Sequence, residues 1–152
     1  MPDGRIIDNP NPVYSIQETT RDRVRAVIAD GLANNHTIGE IAAQIETVTE
    51  DGLNPFTEAR ADLISRTEVS LANEQGKIEG LRAITEYTTR DGNPLIFKKS
   101  WIVAPDEKVC QVCMANADQG PIDLDEDFES GDDSPPGHPN CRCVLVAEDT
   151  DV

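Results

Sequence analysis

Four cysteines in two closely spaced pairs are the residues of this chain best suited to chemistry. They form the motifs Cys110-x-x-Cys113 and Cys141-x-Cys143. Thiolates are soft ligands, and the two-residue gap of the first pair lets both sulfurs face one ion, as in structural zinc sites. The second pair is less usual, because residues i and i+2 of a straight strand point to opposite faces. Both of its sulfurs can reach one ion only if the chain bends there.

A histidine adds a fifth candidate ligand. His138 stands three residues before Cys141, in the run HPNCRC. Two ligand sets are therefore open: all four cysteines, or three cysteines with His138. We favour the set of four cysteines. Such a closed tetrahedral set leaves no position for substrate, so we predict a single structural zinc ion and no catalytic metal.

Two disulfides, or buried free thiols, are the alternatives to a metal. The sequence starts without the apolar stretch of a secretory signal, so we expect synthesis in a cytoplasm. Thiols stay reduced there, and paired cysteines bind metal more often than each other. Disulfides would be favoured only if the mature protein functions outside cells.

The part of the chain before these motifs reads as helical. Apolar residues recur at helical spacing over residues 16–33, and again over residues 37–48 after the capping-box pair Thr37 and Glu40. A third and longest helix is predicted over residues 57–82. Gly76 and Gly80 lie one turn apart on it, and we expect a neighbouring element to pack closely against them. A helix end near Gly80 is the alternative.

The part that carries the cysteines reads as a small β region. Strands are predicted over residues 95–103, 121–124 and 144–146, while residues 84–89 fit either a short strand or the end of the long helix. The lone tryptophan, Trp101, is expected to pack over the cysteine site.

The predicted fold class is therefore α+β, with N-terminal helices that include one long helix, followed by a small, β-rich, zinc-knuckle-like C-terminal region. The predicted organisation is an extended arm (1–13), a helical region (14–55), a domain (56–147) with the zinc-binding β region at 95–147, and a frayed acidic tail (148–152).

The charge of the chain limits its partners. The chain has 29 acidic and 13 basic residues, for a net charge of -16. Such a surface repels phosphate backbones, so a sequence-independent grip on DNA is not expected. Strong acidity with few lysines is typical of proteins adapted to concentrated salt, and we interpret the chain as halophilic. No apolar run is long enough to cross a membrane.

Several motifs together resemble one family. The chain is similar over residues 57–147 to the Mu-F-like head morphogenesis proteins of tailed phages, also called minor head or minor capsid proteins. The residues that carry this resemblance are Arg66-Thr67-Glu68-Val69, Asn73, Gly76, Gly80, Trp101, Asp106, Cys110, Cys113, Gly120, Phe128 and the run from His138 to Cys143. HPNCRC is the most specific of them.

The resemblance implies a non-enzymatic component of a virion. Its expected location is the head interior near the portal vertex, with the host cytoplasm as the place of assembly. Its expected partners are the portal and other head proteins, with a role in head assembly and genome packaging or delivery, and with at most indirect contact with packaged DNA. Arg66 and Glu68 are expected to support the C-terminal β region through separate hydrogen bonds, because residues i and i+2 of a helix do not face each other.

Three other functions were weighed. A His-Asn-His nuclease would use His138 as its general base and Asn140 to orient it, but only one histidine lies near the motif. An ADP-ribosyltransferase, to which some relatives are fused, would need a Glu-x-Glu pair that is not found in this chain. A small zinc adaptor unrelated to viruses is the third.

Overall fold

A computed structural model describes residues 18–48 and 54–150. The chain divides into two compact units, residues 1–62 and 63–152, and each is described by itself. The predicted arm over residues 1–13 lies outside the described residues. The predicted fold class is confirmed: helices, one of them long, come first, and a small antiparallel sheet with the cysteines follows.

The first unit contains a pair of helices. Helix α1 spans Glu18–Ala33 and helix α2 spans Ile38–Ile45. The predicted capping box is present, because the Thr37 side chain accepts from the Glu40 backbone N–H and the Glu40 carboxylate accepts from the Thr37 backbone N–H. Buried aliphatic side chains on both helices then form the core of this unit: Val24, Ile28, Ile41, Ala42 and Ile45.

Helix α3 spans Glu58–Arg90, so the predicted end at residue 82 was wrong. The β-branched residues after position 83 continue the helix, where the Thr88 hydroxyl donates to the Ile84 carbonyl one turn earlier at 2.9 Å. The helix stops where Gly92 adopts a left-handed conformation, with φ of 83°. A glycine there closes the final turn without steric cost.

Three antiparallel strands follow α3 in the second unit. Strand β1 spans Phe97–Ile102, β2 spans Ile122–Asp123 and β3 spans Val144–Asp149, and the sheet has the order β2-β1-β3. Strand β3 is longer than predicted. Glu148 and Asp149, expected in a frayed tail, pair with Lys98 and Phe97 of β1. The tail was read as frayed because it is acidic, but opposite charges facing each other across a ladder stabilise it.

The core of the second unit is built around Trp101. Its side chain is 1% exposed, and its ring meets that of Phe128 edge to face, with centroids 5.2 Å apart. The rest of this cluster combines aliphatic residues with two of the cysteines: Ile78, Cys113, Ile122, Cys143 and Leu145. Trp101 therefore packs against both cysteine pairs at once.

Charged side chains connect distant parts of the second unit. Glu74 of α3 is almost fully buried, and its carboxylate accepts from the Leu145 backbone N–H of β3 at 3.1 Å and from the Lys77 ammonium at 2.8 Å. Lys99 of β1 is fully buried, donates to Asp133, and lies over the Phe128 ring. Because a buried charge without a partner is strongly unfavourable, each pair fixes the position of its segment.

The expected close packing against Gly76 and Gly80 is not observed. A Cβ atom added to either glycine would meet no described atom within 4 Å, other than the helix's own backbone and chain neighbours. The alternative, a helix end near Gly80, is wrong as well, because α3 continues to Arg90. Both glycines lie in the exposed middle of the helix.

We predict that Gly80→Ala stabilises the second unit by about 0.5–1 kcal/mol, because alanine has lower conformational entropy in the unfolded chain and a higher helix propensity. Denaturant unfolding followed by circular dichroism measures the change. Gly31→Ala in α1 is the matched control, because its new Cβ would lie 2.5 Å from Ile41 Cγ1. That variant should be destabilised. Equal effects of the two substitutions would contradict the packing described here.

Candidate metal centre

The first cysteine pair sits at the start of a short helix, α4, which spans Gln111–Asp118. Cys110 is the N-cap residue, with φ of -76° and ψ of 159°, and its sulfur accepts from the Cys113 backbone N–H at 3.4 Å. The first helical turn places Cys113 beside Cys110. This helix was not predicted, because the motif was read only as a turn.

The second pair sits on a bend, as the sequence required for joint binding. The Cys141 backbone N–H donates to the His138 carbonyl at 3.1 Å, and Asn140 between them is left-handed, with φ of 59°. Asparagine adopts this conformation more readily than most residues. Strand β3 begins only at Val144, so Cys141 and Cys143 precede it and are not bound to the alternating faces of a strand.

The bend has contacts on two sides. The Asn140 backbone N–H donates to the Thr67 hydroxyl of α3 at 3.2 Å. Gly137 lies against the Trp101 ring, where an added Cβ would be 3.3 Å from Cη2 and 2.9 Å from the Asp132 carboxylate. The loop therefore reaches the first cysteine pair only because position 137 has no side chain.

The structure brings all five sequence-predicted ligands around one point. The donor atoms of Cys110, Cys113 and His138 lie within 4.8 Å of one another, and so do those of Cys113, Cys141 and Cys143. Cys113 belongs to both groups.

Two distances between these atoms match shared metal ligation. Cys113 Sγ lies 3.7 Å from Cys141 Sγ and 3.5 Å from His138 Nε2. In a zinc tetrahedron, bonds of about 2.3 Å to sulfur and about 2.0–2.1 Å to nitrogen give edges of about 3.8 Å between sulfurs and about 3.6 Å between sulfur and nitrogen. The 3.7 Å separation is also well beyond the S–S bond length of about 2.05 Å in a disulfide. The four cysteines are free thiols.

The orientation of His138 suits a ligand. Its Nδ1 lies 3.0 Å from the Pro139 carbonyl oxygen, which can only accept, so the proton belongs on Nδ1. Nε2 is then left with a lone pair that faces the Cys113 sulfur. Histidine ligands commonly donate their second N–H to a carbonyl in this way.

The thiols differ in how easily they ionise. Burial raises the pKa of Cys113 far above its usual value and also raises the pKa of Cys143. The Cys113 backbone N–H lowers the pKa of Cys110. Burial opposes ionisation of Cys141, but N–H groups of Cys143 and Gly137 outweigh it and lower the pKa. Binding needs thiolates, so buried members of this cluster need a cation beside them to deprotonate.

Comparison with known proteins agrees with the resemblance seen in the sequence. The family model described as "Phage Mu protein F like protein" matches residues 22–146. The chain belongs to this family. The match starts well before residue 57, so it also covers helices α1 and α2. Searches of curated proteins and of solved structures return no match.

Membership of the Mu F-like family makes this a phage head morphogenesis protein. The family is structural, consistent with the prediction of a non-enzymatic protein, and it indicates a virion and other head proteins as partners. Among the described residues, no helix is both long enough and apolar enough to cross a membrane.

Some residues that position the site of this Mu F-like chain were missed or misjudged. Arg66 and Glu68 are exposed on α3, and it is Thr67 between them that contacts the second cysteine pair. Asp106 binds the Arg142 guanidinium through both carboxylate oxygens, one of them at 2.8 Å. Both residues were in the motifs, but their pairing across the site carries no signal in the sequence.

We predict that the Asp106 carboxyl titrates near pH 2, because hydrogen bonds from Arg142 lower its pKa to about 2. The stabilising effect of this pair is then complete above the ordinary aspartate pKa of about 3.9 and is lost as the pH falls through about 2. Carbon-detected NMR of the side-chain carboxyl measures the midpoint.

Arg142→Gln is the informative variant for this titration. It should return the Asp106 midpoint toward the ordinary value, because the amide has no charge. An Asp106 midpoint that does not change in this variant would show that Arg142 does not bind Asp106 in solution.

Proposed function

We propose that this Mu F-like protein is a minor head protein that acts near the portal, in head assembly and in genome packaging or delivery, and that one structural zinc ion holds its C-terminal region in shape. The observation that carries the zinc proposal is the convergence of five soft donor atoms from two loops, with edges of 3.5 and 3.7 Å at Cys113. Thiolate and imidazole donors suit zinc and not magnesium or calcium.

The donor set supports a structural site. Four protein ligands close a zinc tetrahedron, and this chain offers five candidates at one point. We propose Cys110, Cys113 and Cys141 as ligands, with either Cys143 or His138 as the fourth. Trp101, Arg66 and Glu68 are proposed to support this region, Trp101 through its buried contact with Cys113 and Cys143.

A nuclease that uses His138 as its general base is less well supported. Nδ1 of His138 is directed at the Pro139 carbonyl and Nε2 at the Cys113 sulfur, so neither nitrogen faces a space where a water molecule and a phosphodiester could meet. The acidity of the chain also opposes binding to DNA.

The proposed partners follow from family and charge together. The portal and other head proteins are the proposed contacts, and the head interior near the portal vertex is the proposed location. With a net charge of -16, contact with packaged DNA is proposed to be indirect, through bridging cations. We propose residues 56–147 as the Mu-F-like domain proper and residues 14–55 as an associated helical region.

We predict that Cys110→Ser and Cys141→Ser abolish zinc binding and expose residues 101–147 to hydrogen exchange, because the metal supplies part of the folding free energy. Metal analysis and amide exchange measure this. The first unit provides an internal control, since its core residues Ile41 and Ile45 are fully buried away from any ligand and should keep their protection. Zinc far below one equivalent in the wild-type chain would refute the metal.

X-ray absorption spectroscopy identifies the fourth ligand. Four sulfurs in the first shell indicate Cys143, and three sulfurs with one nitrogen indicate His138. His138→Gln and Cys143→Ser form the matched pair: the substitution that removes a true ligand should weaken zinc binding about 100-fold or more, and the other much less.

The location is tested in assembled particles. An epitope-tagged chain imaged in heads by electron microscopy should label one vertex only. Label distributed over the whole shell would contradict a place near the portal. A chain absent from mature heads would contradict a virion protein altogether.

We also propose that the chain is adapted to high salt. Self-repulsion of an acidic protein is screened as salt rises, so its melting temperature should increase from about 0.1 M to about 3 M potassium chloride with zinc held saturating. Differential scanning calorimetry measures this. A flat or falling curve would show an ordinary acidic protein.

A further inference from the structure

Strand β3 forms one edge of the described sheet, and its backbone has groups directed away from β1. In an antiparallel ladder, alternate residues bond to one neighbour and then to the other. The Leu145 N–H bonds to Glu74 and not to β1, whereas Thr150, in the register that continues the ladder, donates to the Ile96 carbonyl. The alternation therefore directs the N–H and C=O groups of Ala147 and Asp149 outward from the sheet.

A groove runs along the same edge. It lies between β3 and the flank of α3, has a volume of about 330 Å³, and is lined largely by apolar or small residues. These residues are Gly76, Lys77, Gly80, Leu81, Ile84, Leu145 and Ala147. A strand added beside β3 would direct every second side chain into this groove, on the face where Leu145 and Ala147 already point.

The two glycines are explained by this arrangement. No described atom outside the adjoining helix lies within 4 Å of an added Cβ at Gly76 or Gly80, so these positions widen the groove and do not accommodate a neighbour within the chain. On the other face of the sheet, Val144 and Val146 are each 42% exposed. Apolar side chains thus flank both faces of an open edge, as in proteins that bind extended peptides.

Charge indicates what kind of strand fits. One row across the outer face of the sheet alternates in sign: Asp123 of β2, Lys98 of β1 and Glu148 of β3 are register neighbours, and Lys98 Nζ lies 3.6 Å from Asp123. A basic residue opposite Glu148 would continue this alternation. A second copy of the chain fits poorly, because each copy carries a net charge of -16.

We propose that the β3 edge binds an extended segment of another head protein as a fourth strand, with apolar residues directed into the groove and a lysine or arginine opposite Glu148. This rests on the proposed function only for the identity of the partner as a head protein. The chemistry of the segment comes from the edge itself.

The test uses the full-length, zinc-loaded, isotope-labelled chain and a capped peptide of sequence Thr-Lys-Val-Val-Val-Thr. NMR titration should give saturable amide shifts at Ala147 and Asp149 and methyl shifts at Leu81 and Ile84. A control peptide with glutamate in place of lysine should bind about threefold more weakly. Equal binding of both peptides, shifts confined to other residues, or no saturable shifts at millimolar peptide would overturn the proposal.

Two variants separate loss of the edge from loss of the fold. Ala147→Pro removes an N–H that faces away from β1, a position where an edge strand tolerates proline, and should abolish peptide binding while zinc content stays unchanged. Gly80→Leu should do the same by filling the groove. Val146→Pro is the contrast, because its N–H belongs to the ladder with β1 and its loss should disrupt the sheet. Full peptide binding by Ala147→Pro would overturn the proposal.

The remaining outcomes concern the partner. Concentration-dependent shifts of the same amides without peptide would identify a second copy as the occupant and overturn the choice of a basic partner segment. The peptide result does not depend on where the chain sits in a particle. If the wild-type chain is absent from heads but binds the peptide, the proposed function fails and the edge site stands. If Ala147→Pro enters heads as well as the wild type, the role of the edge in assembly fails instead.

Discussion

Electrostatic repulsion among closely spaced sulfurs is the constraint on which the C-terminal unit depends. Two loops bring four thiols and an imidazole to one point, and burial raises the pKa of two of those thiols. Ionised together without a cation, they would repel one another in a medium of low dielectric constant. A divalent ion would convert that repulsion into the strongest link between the loops. The rest of the unit is arranged to hold the loops at the required distance.

The supporting contacts come from polar groups because the chain has few large apolar ones. Aromatic residues make up only 4% of it, and Trp101 with Phe128 supplies the single aromatic pair described. Buried or partly buried hydrogen bonds fix what apolar packing alone would leave loose. Thr67 holds the bend before Cys141, Glu74 holds the first outward N–H of β3, and Lys99 holds the acidic loop at Asp133. Each would be costly to leave unpaired.

Much of this arrangement could be predicted from the sequence because it depends on local rules. Thr37 and Glu40 are a capping box by spacing alone, and the tryptophan-bearing strand is evident from its residue types. The need for a bend at Cys141 followed from strand geometry, and Asn140 supplies it. The end of α3 was missed because the β-branched residues near Ile84 fit a strand as well as a helix, and helical contacts in the folded chain decide between them.

Other features could not be predicted because they depend on distant partners. Cysteine is an unusual N-cap residue, so α4 had no sequence signal at its start. Glu74 looks like any exposed helical acid until β3 is placed beside it, and its partner is far along the chain. Gly76 and Gly80 were correctly singled out, yet their spacing alone does not distinguish a packed face from an open one. Only the folded neighbours decide that.

The contact between Gly137 and Trp101 has a consequence for how this region can vary. With an added Cβ only 3.3 Å from the indole and 2.9 Å from Asp132, the loop rests on the ring with room for a hydrogen atom and nothing larger. The indole therefore acts as a gauge block between the two donor-bearing loops. A smaller ring at position 101 would leave the second loop without a stop, and a larger residue at position 137 would lift it away. The tryptophan and the glycine can be exchanged only together.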